Sequence, residues 1–388
     1  MPLTVPPLSL YVHIPWCVRK CPYCDFNSHA HAGALPVDDY IGALAADLDR
    51  DLAQFGDALG GRPLVSLFLG GGTPSLFAPD AIARIIDLAG KRFTFRDGIE
   101  ITLETNPGTV EHGRFDEYLR AGVTRISFGV QSFDDDMLRR LGRIHSAAEA
   151  ERAVKSAQDA GYDDINLDLM YALPEQTLAG ALADVERAIA LQPSHISHYQ
   201  LTLEPNTLFA AKPPALPDAD LAWDMQEACQ GRLAEAGYAQ YEVSAYARPG
   251  RRCVHNLNYW TFGDYLGIGA GAHGKITDAR GNVIVRTAKV KLPRSYLDRA
   301  ARGEAFGTAE PVDEAQRPFE FMLNALRLNE GVPMNELEQR TGLVLEAAAA
   351  ALADARSKGW LEADTAQLRP TESGRRFLND LVALFLPE

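Results

Sequence analysis

Three cysteines near the amino terminus have a spacing that suits a metal cluster. Cys17, Cys21 and Cys24 lie within eight residues in the pattern C-x3-C-x2-C, so one short loop carries three thiolates. A structural zinc site needs four ligands in a closed tetrahedron, and ordinary iron–sulfur clusters are also held by four cysteines. Three cysteines therefore leave one iron of a [4Fe-4S] cluster open to a ligand from outside the chain.

Two other kinds of site would use the same cysteines. A zinc ion would need a fourth ligand, for which His13, His29 and His31 are the candidates. Alternatively, Cys21-Pro22-Tyr23-Cys24 has the dithiol spacing of thiol–disulfide oxidoreductases. A third cysteine four residues upstream argues against a simple dithiol, so the cluster is the favoured interpretation.

Six short runs rich in β-branched and aromatic residues predict the strands that position this loop. They are residues 8–14, 64–69, 99–104, 125–130, 164–170 and 196–203. Stretches with helical spacing lie between them, with start signals at Asp38, Pro79 and Ser146. Strand and helix alternating six times predict parallel strands joined by right-handed crossovers.

Polar residues and glycines follow every one of these runs. In parallel α/β folds the ligand site lies at the carboxyl ends of the strands, so these segments are expected to meet in one pocket. The segments are 13–17, 70–74, 104–107, 129–133, 168–171 and 204–206.

The C-x3-C-x2-C motif after the first strand of a six-unit α/β chain resembles the radical S-adenosylmethionine (SAM) proteins. The resemblance implies a partial (β/α)6 barrel of the TIM type, with a [4Fe-4S] cluster on Cys17, Cys21 and Cys24. In that family the open iron binds S-adenosyl-L-methionine, and a reduced cluster can cleave the sulfonium to a 5'-deoxyadenosyl radical. Such chemistry needs a low-potential, sulfur-ligated cluster in a site that excludes water.

Further segments resemble the oxygen-independent coproporphyrinogen III oxidase branch of that family, over nearly the whole chain. The matching residues are Tyr11 to Cys17, Gly70 to Pro74, Glu104, Gly129 to Phe133, Arg143 and Asp168. The resemblance implies that the following residues contact S-adenosylmethionine: Tyr11, Tyr23, Gly71, Gly72, Thr73, Glu104, Gln131, Arg143 and Asp168. The glycines would allow a close backbone approach because they carry no Cβ.

Two features depart from the oxidases. Phe26 stands where the oxidases have a fourth cysteine, and the first strand starts near residue 8 without their long amino-terminal extension. Both features resemble a sister group, the HemW heme chaperones. That group implies a heme carrier rather than an oxidase.

A second motif, HNxxYW, supports the same resemblance and spans His255 to Trp260. It implies heme binding by His255, Asn256, Tyr259 and Trp260, since a neutral imidazole suits heme iron and aromatic rings pack on a porphyrin. Cys253 is a rival thiolate ligand. A structural interpretation also stays open, in which the His-Asn pair caps a helix and the aromatic rings fill core; His195, His198 and His273 are expected to be structural or to line the pocket.

The principal hypothesis is a carrier that binds heme and delivers it to apoproteins such as membrane respiratory enzymes. The alternative is an oxidase that converts coproporphyrinogen III to protoporphyrinogen IX by radical decarboxylation of two propionates. A third, weaker hypothesis is a protein that assists radical methyl transfer or cyclopropane formation. No residue is assigned a catalytic role; the cluster would need an electron donor, and a homodimer is a candidate assembly.

The charge balance narrows the choice of partners. The 388 residues include 38 Lys and Arg against 52 Asp and Glu, a net charge of -14. This argues against a general nucleic-acid binder, whose affinity depends on cations that neutralise phosphates. From Asp313 onward the count is 8 basic against 13 acidic residues, or -5, which predicts an interaction or lid domain.

We predict three domains: the barrel at 1–215, a barrel extension with the HNxxYW motif at 216–308, and a small winged-helix-like domain at 309–388. The amino terminus has no cationic start and three early prolines, unlike a signal or transit peptide. The sequence contains no stretch of 18 apolar residues, so no membrane-spanning helix is predicted. The expected location is the cytoplasm, with membrane contact through a protein partner because anionic lipid repels an acidic surface.

Overall fold

A computed structural model describes residues 2–108 and 115–387, and one sheet of twelve strands lies at its centre. Six strands form the middle of this sheet, and each is parallel to the next in chain order. They are β1 (Leu8–Ile14), β2 (Leu64–Gly71), β3 (Phe95–Thr105), β4 (Arg125–Gln131), β5 (Ile165–Tyr171) and β6 (His195–Gln200). This order confirms the predicted α/β fold with six parallel strands.

Six further strands extend the sheet on both sides, in the order β12-β11-β10-β9-β1-β2-β3-β4-β5-β6-β8-β7. They are β7 (Ala239–Gln240), β8 (Ala245–Ala247), β9 (Asp264–Ile268), β10 (His273–Asp278), β11 (Val283–Lys289) and β12 (Gly307–Pro311). Strand β9 pairs in parallel with β1, a long-range pairing that no local pattern in the sequence predicts. Strands β7 and β8 form an antiparallel hairpin, whose turn is closed by Tyr241 N–H donating to Ala245 O at 3.1 Å.

Fifteen α-helices surround the sheet in the described residues. They are α1 (Val37–Leu59), α2 (Pro79–Gly90), α3 (Phe115–Arg120), α4 (Asp135–Arg140), α5 (Ala147–Asp159), α6 (Leu178–Ala190), α7 (Leu208–Ala211), α8 (Ala219–Glu235), α9 (Val254–Trp260), α10 (Pro293–Arg302), α11 (Arg317–Ala325), α12 (Asn335–Thr341), α13 (Ala349–Ser357), α14 (Glu372–Arg376) and α15 (Leu378–Ala383). Ser146 and Glu149 form a capping box before α5, as the start signal at Ser146 predicted.

The two faces of the central strands have different surroundings. Leu10 and Val12 of β1 are fully buried in the hydrophobic core, which they share with residues of α1. Because side chains alternate along a strand, Ser9, Tyr11 and His13 lie on the opposite face. Polar side chains continue along that inner face on the neighbouring strands, at Ser66, Glu104, Ser127 and Asp168.

Helix α9 lies against this polar inner face. His255 Nδ1 is 2.8 Å from Ser66 Oγ, and Asn258 Nδ2 donates to Ser9 Oγ at 3.0 Å. The Glu100 carboxylate accepts the first backbone N–H groups of the helix, including that of His255 at 3.0 Å. Since both serines lie near the amino ends of their strands, α9 occupies the end of the barrel opposite to the cysteine loop.

The carboxyl-terminal residues form a second hydrophobic core. Helices α11, α12 and α13 contribute Phe321, Leu337 and Leu352 to it. A short antiparallel ladder joins Val332–Pro333 to Gln367–Leu368, and a bridge joins Leu361 to Pro370. One strand of this ladder lies between α11 and α12 and the other follows α13, an order that agrees with the winged-helix-like prediction, whereas the domain boundaries at 215 and 308 stay predictions. None of the helices in the described ranges is long and apolar enough to cross a membrane.

Candidate functional site

The cysteine loop is fixed at both ends directly after β1. The short strand Trp16–Cys17 pairs with His29–Ala30, and Cys24 N–H donates to Cys21 O at 3.2 Å within the loop. All three thiols are partly buried and line one cavity of about 130 Å³. The structure therefore brings together the three cysteines that the motif predicted as ligands.

Each sulfur of the loop has a polar neighbour. Thr73 Oγ1 donates to Cys17 Sγ at 3.5 Å, Arg143 Nη1 donates to Cys21 Sγ at 3.6 Å, and Ser28 Oγ lies 3.6 Å from Cys24 Sγ. Burial raises the pKa of the Cys17 and Cys24 thiols. Hydrogen bonds to cysteine sulfur tune iron–sulfur clusters, so this donor set fits a sulfur-ligated cluster.

A single zinc ion fits these residues less well. Within the described ranges, no three His, Cys, Asp or Glu side chains are placed to hold one metal ion. In a [4Fe-4S] cluster each cysteine binds a different iron, so the sulfurs need not converge on one point. The candidate fourth ligands also have other partners: His13 lies 2.9 Å from both Tyr11 OH and Asn27 O, His29 contacts Asn27 Oδ1, and His31 contacts Ala34 O.

The glycine loop after β2 packs directly on the start of the cysteine loop. Gly72 N–H donates to Ile14 O at 2.8 Å, and Thr73 N–H donates to Trp16 O at 2.7 Å. A Cβ on Gly72 would lie 2.5 Å from Trp16 O. At Gly71 the φ of 108° is one that L side chains rarely adopt, and a Cβ would also meet the His13 ring at 2.4 Å. Both positions therefore require glycine.

Two partly buried carboxyl groups face the same cavity as the cysteines. Glu104 Oε2 accepts from Gly71 N–H at 3.1 Å, and Asp168 Oδ1 accepts from Asn166 Nδ2 at 2.8 Å. Burial, and then the proximity of Asp168, raises the pKa of Glu104 to about 8. Burial also raises the pKa of Asp168. A cationic ligand would reverse these shifts by favouring the ionised carboxylates.

Gln131 is held in an unusual backbone conformation at the end of β4. Its φ is 72°, and its Oε1 accepts from Tyr199 OH at 2.8 Å. The next two residues are fixed by Asp184, which accepts from Ser132 Oγ at 2.8 Å and from Phe133 N–H at 2.6 Å. A strained backbone that surrounding contacts over-determine is typical of ligand sites.

Eight of the nine predicted cofactor residues line the cavity with the cysteines: Tyr23, Gly71, Gly72, Thr73, Glu104, Gln131, Arg143 and Asp168. Tyr11 lines the adjoining cavity instead, which shares Cys24, Gly71 and Glu104 with the first. Sequence reasoning missed Ser127 and Tyr199, which also line the first cavity. Their alternation with outward-facing residues of β4 and β6 was the available signal.

The adjoining cavity is much larger, at about 700 Å³. Its lining includes the aromatic side chains of Tyr11, Phe26, Tyr259 and Tyr265. Phe26 also lines the cysteine cavity and is 63% exposed. An exposed aromatic ring therefore stands where both cavities meet.

The HNxxYW residues do not form one surface. Tyr259 lines the large cavity, but His255 is only 2% exposed and stacks on Phe68 with ring centroids 4.8 Å apart. Trp260 packs against the carboxyl-terminal core, where Arg327 lies over its ring at 4.3 Å. Asn256 is half-buried.

His255 nevertheless keeps one nitrogen without a partner. Its Nδ1 is paired with Ser66, whereas its buried Nε2 has no hydrogen-bond partner among the described residues. Burial, and then Arg125, lowers the pKa of His255 to about 3, so the ring is neutral. A neutral imidazole with a free nitrogen has the donor chemistry that iron requires.

Cys253 is poorly suited to be the rival ligand. It is 1% exposed, and its thiol lies 3.4 Å from Glu100 Oε1. Burial, and then Glu100, raises its pKa, which opposes formation of the thiolate that binds metal. His195 is likewise structural in place, because its two ring nitrogens contact Asn166 Oδ1 and Tyr241 OH.

Comparison with known proteins identifies the family of the chain. Family models for the radical SAM superfamily and the HemN C-terminal domain match residues 11–188 and 312–377. Proteins named heme chaperone HemW from Haemophilus influenzae and Escherichia coli are 53% and 50% identical, over 99% of this chain and 99% of their own length. The chain belongs to the HemW family.

The HemW family lies within the radical SAM superfamily, as the motifs predicted, and this membership implies a [4Fe-4S] cluster and S-adenosylmethionine. The solved structure of coproporphyrinogen III oxidase HemN from E. coli matches with a TM-score of 0.82 and 24% identity. The match covers 98% of this chain and 90% of that one, which shows that the two share a fold.

Proposed function

We propose that this HemW-family chain is a heme carrier that binds heme and transfers it to apoproteins, membrane respiratory enzymes among them. The observation that carries the proposal is the aromatic cavity of about 700 Å³ directly beside the cysteine loop. Heme presents large apolar faces, which aromatic side chains bury well. The heme-chaperone names of the close relatives support the same function.

Within this proposal the cluster would lie in the cysteine cavity, and S-adenosylmethionine would extend from there into the adjoining cavity that Tyr11 lines. Cys17, Cys21 and Cys24 hold the [4Fe-4S] cluster, and the nine predicted cofactor residues surround S-adenosylmethionine. When bound, the cluster supplies low-potential electrons, which come from an electron-donor protein. Glu104 and Asp168 face this cofactor, where a cationic ligand would favour their ionised forms, and Thr73 and Arg143 donate to the sulfurs of Cys17 and Cys21.

The heme motif has a proposed role on the other side of the same cavities. Tyr259 forms part of the wall, and His255 lies behind it with its unpaired Nε2 as the proposed iron ligand. Asn256 and Trp260 complete the motif without lining the cavity. We propose a cytoplasmic location, with any membrane contact made through the protein that receives heme.

His255→Ala should weaken hemin binding by on the order of tenfold or more, because it removes the unpaired imidazole nitrogen of the motif. The measurement is a Soret-absorbance titration of the full chain. Cys253→Ser is the matched control, since it removes the rival thiol and leaves the His255 imidazole and its Ser66 partner in place. Equal affinities of His255→Ala and the wild type would remove His255 from the ligand set.

The oxidase alternative has a direct assay. Cluster-loaded protein, incubated anaerobically with coproporphyrinogen III, reductant and S-adenosylmethionine, should form no protoporphyrinogen IX, because Phe26 replaces the oxidase's fourth cysteine. Product analysis by liquid chromatography gives the answer, with an authentic oxidase as the positive control. Formation of protoporphyrinogen would overturn a carrier-only function.

A further inference from the structure

A second large cavity lies on the surface between the barrel extension and the carboxyl-terminal helices. This groove, of about 690 Å³, has an apolar wall of Phe319, Leu323, Leu386 and Pro387. Leu323 and Leu386 are 50% and 54% exposed, although both are large apolar side chains. Exposed apolar side chains that cluster in a concave surface mark a ligand site more often than isolated ones do.

His273 lies at the junction between this groove and the aromatic cavity. The exposed His273 and its neighbour Tyr265 line both cavities. The His273 ring makes no hydrogen bond to any residue in the described ranges. Burial, and then Lys291 and Arg286, lowers its pKa, so the ring is a neutral imidazole near pH 7.

Cationic side chains line the two cavities that meet at this junction. Lys20 and Lys291 line the aromatic cavity, and neither forms an ion pair with a described residue. Arg286 lines the groove but is already paired with Glu320. An apolar wall, a neutral imidazole and two ammonium groups without a carboxylate partner match the chemistry of heme, which combines an apolar ring, a central iron and two carboxylates.

The burial of His255 creates a need for a second, accessible ligand. A heme acceptor must bring its own ligand to the iron, but His255 is 2% exposed beneath Phe68 and Tyr259. His273 is exposed and opens onto the groove. Heme held there would be within reach of another protein.

We propose that the groove is a surface heme site, with His273 as its iron ligand, from which heme passes to an acceptor. This inference rests on the proposed carrier function and adds a second place where heme binds. In the transfer the Fe–N bond to His273 breaks and a bond from iron to the acceptor's ligand forms. No electron is transferred, and the propionate carboxylates exchange one set of cations for another.

The test uses hemin titrations of the full chain in four forms: wild type, His255→Ala, His255→Ala/His273→Ala and His255→Ala/His31→Ala. The matched control is His31, a histidine close to the cysteine loop. Its side chain lines neither the aromatic cavity nor the groove. We expect His255→Ala protein to retain a hemin-binding step that the His273 double variant loses by at least about tenfold. The His31 double variant should keep that step.

Titration with metal-free protoporphyrin IX distinguishes iron ligation by His273 from packing of the porphyrin on the apolar wall, because this porphyrin has no iron to ligate. Its affinity should be the same in His255→Ala protein with and without His273, and should fall when Leu323→Glu places a charge on the apolar wall. The inference is overturned if His255→Ala alone abolishes hemin binding, or if removing His273 leaves the residual step unchanged. Failure of the wild type to bind hemin would instead refute the carrier function itself.

Discussion

Replacing any one of Cys17, Cys21 or Cys24 by Ala is expected to abolish the iron–sulfur chromophore of the reconstituted protein. The loss should be complete rather than partial, because the loop offers three thiols for three irons and the fourth iron is left to the cofactor. Visible absorption and iron content after anaerobic reconstitution measure this. Circular dichroism should show that the three variants stay folded, since the cysteines are only partly buried.

The other two cysteines are the matched controls for that experiment. Cys229→Ala and Cys253→Ser should retain full iron content, because Cys229 lies in the hydrophobic core and Cys253 lies against Glu100. An essential role for either of them in the chromophore would contradict the three-ligand cluster. Retention of the chromophore after loss of one loop cysteine would do the same.

Glu104→Gln should change the pH dependence of stability in the ligand-free chain. The pKa of Glu104 is raised from 4.5 to about 8 in the folded protein, so its contribution to stability is present below pH 4.5 and is lost as the pH rises to 8. At about 1.4 kcal/mol for each pH unit, the loss over this interval is on the order of 5 kcal/mol. The glutamine variant should escape this loss while its side-chain oxygen still accepts from Gly71 N–H.

Denaturant unfolding at pH 5 and pH 8 tests this expectation. The difference in unfolding free energy between variant and wild type should move in favour of the variant as the pH rises. Glu149→Gln is the control without a pH effect in this window, because hydrogen bonds from Ser146 lower the pKa of Glu149, and its carboxyl group is then largely ionised in both the folded and the unfolded chain at pH 5 and above. A pH-independent difference for Glu104→Gln would show that its carboxyl group is ionised throughout this range.

The strands of the central sheet could be predicted because the residue pattern that indicates each strand lies within a few consecutive residues. Apolar residues on the outer face of β1 pack against α1, and the same two-residue alternation recurs on the other parallel strands. Strand β9 was not predictable in this way. Its place beside β1 depends on long-range contacts, among them a buried cluster in which Asp264 pairs with Lys275 and Arg62.

The candidate site also has one part that consecutive residues predict and another part that they do not. The cysteine spacing and the glycine loop carry their chemistry in consecutive residues, and the structure places them together around one cavity. The heme motif is equally compact in sequence, but its residues sit on a helix and therefore point in different directions. Tyr259 lines the aromatic cavity, whereas Trp260 packs against the carboxyl-terminal core. The motif by itself does not indicate that these neighbouring side chains lie in different places.

The position of α9 inside the barrel has a consequence for the order of events. The helix occupies one end of the barrel, so the cysteine cavity and the aromatic cavity adjoin near the opposite end, where Phe26 lines both and is exposed. Whichever ligand enters first narrows the path for the next. Cofactor loading before heme would then follow from this arrangement, whereas the groove beside His273 would give heme a separate route of departure.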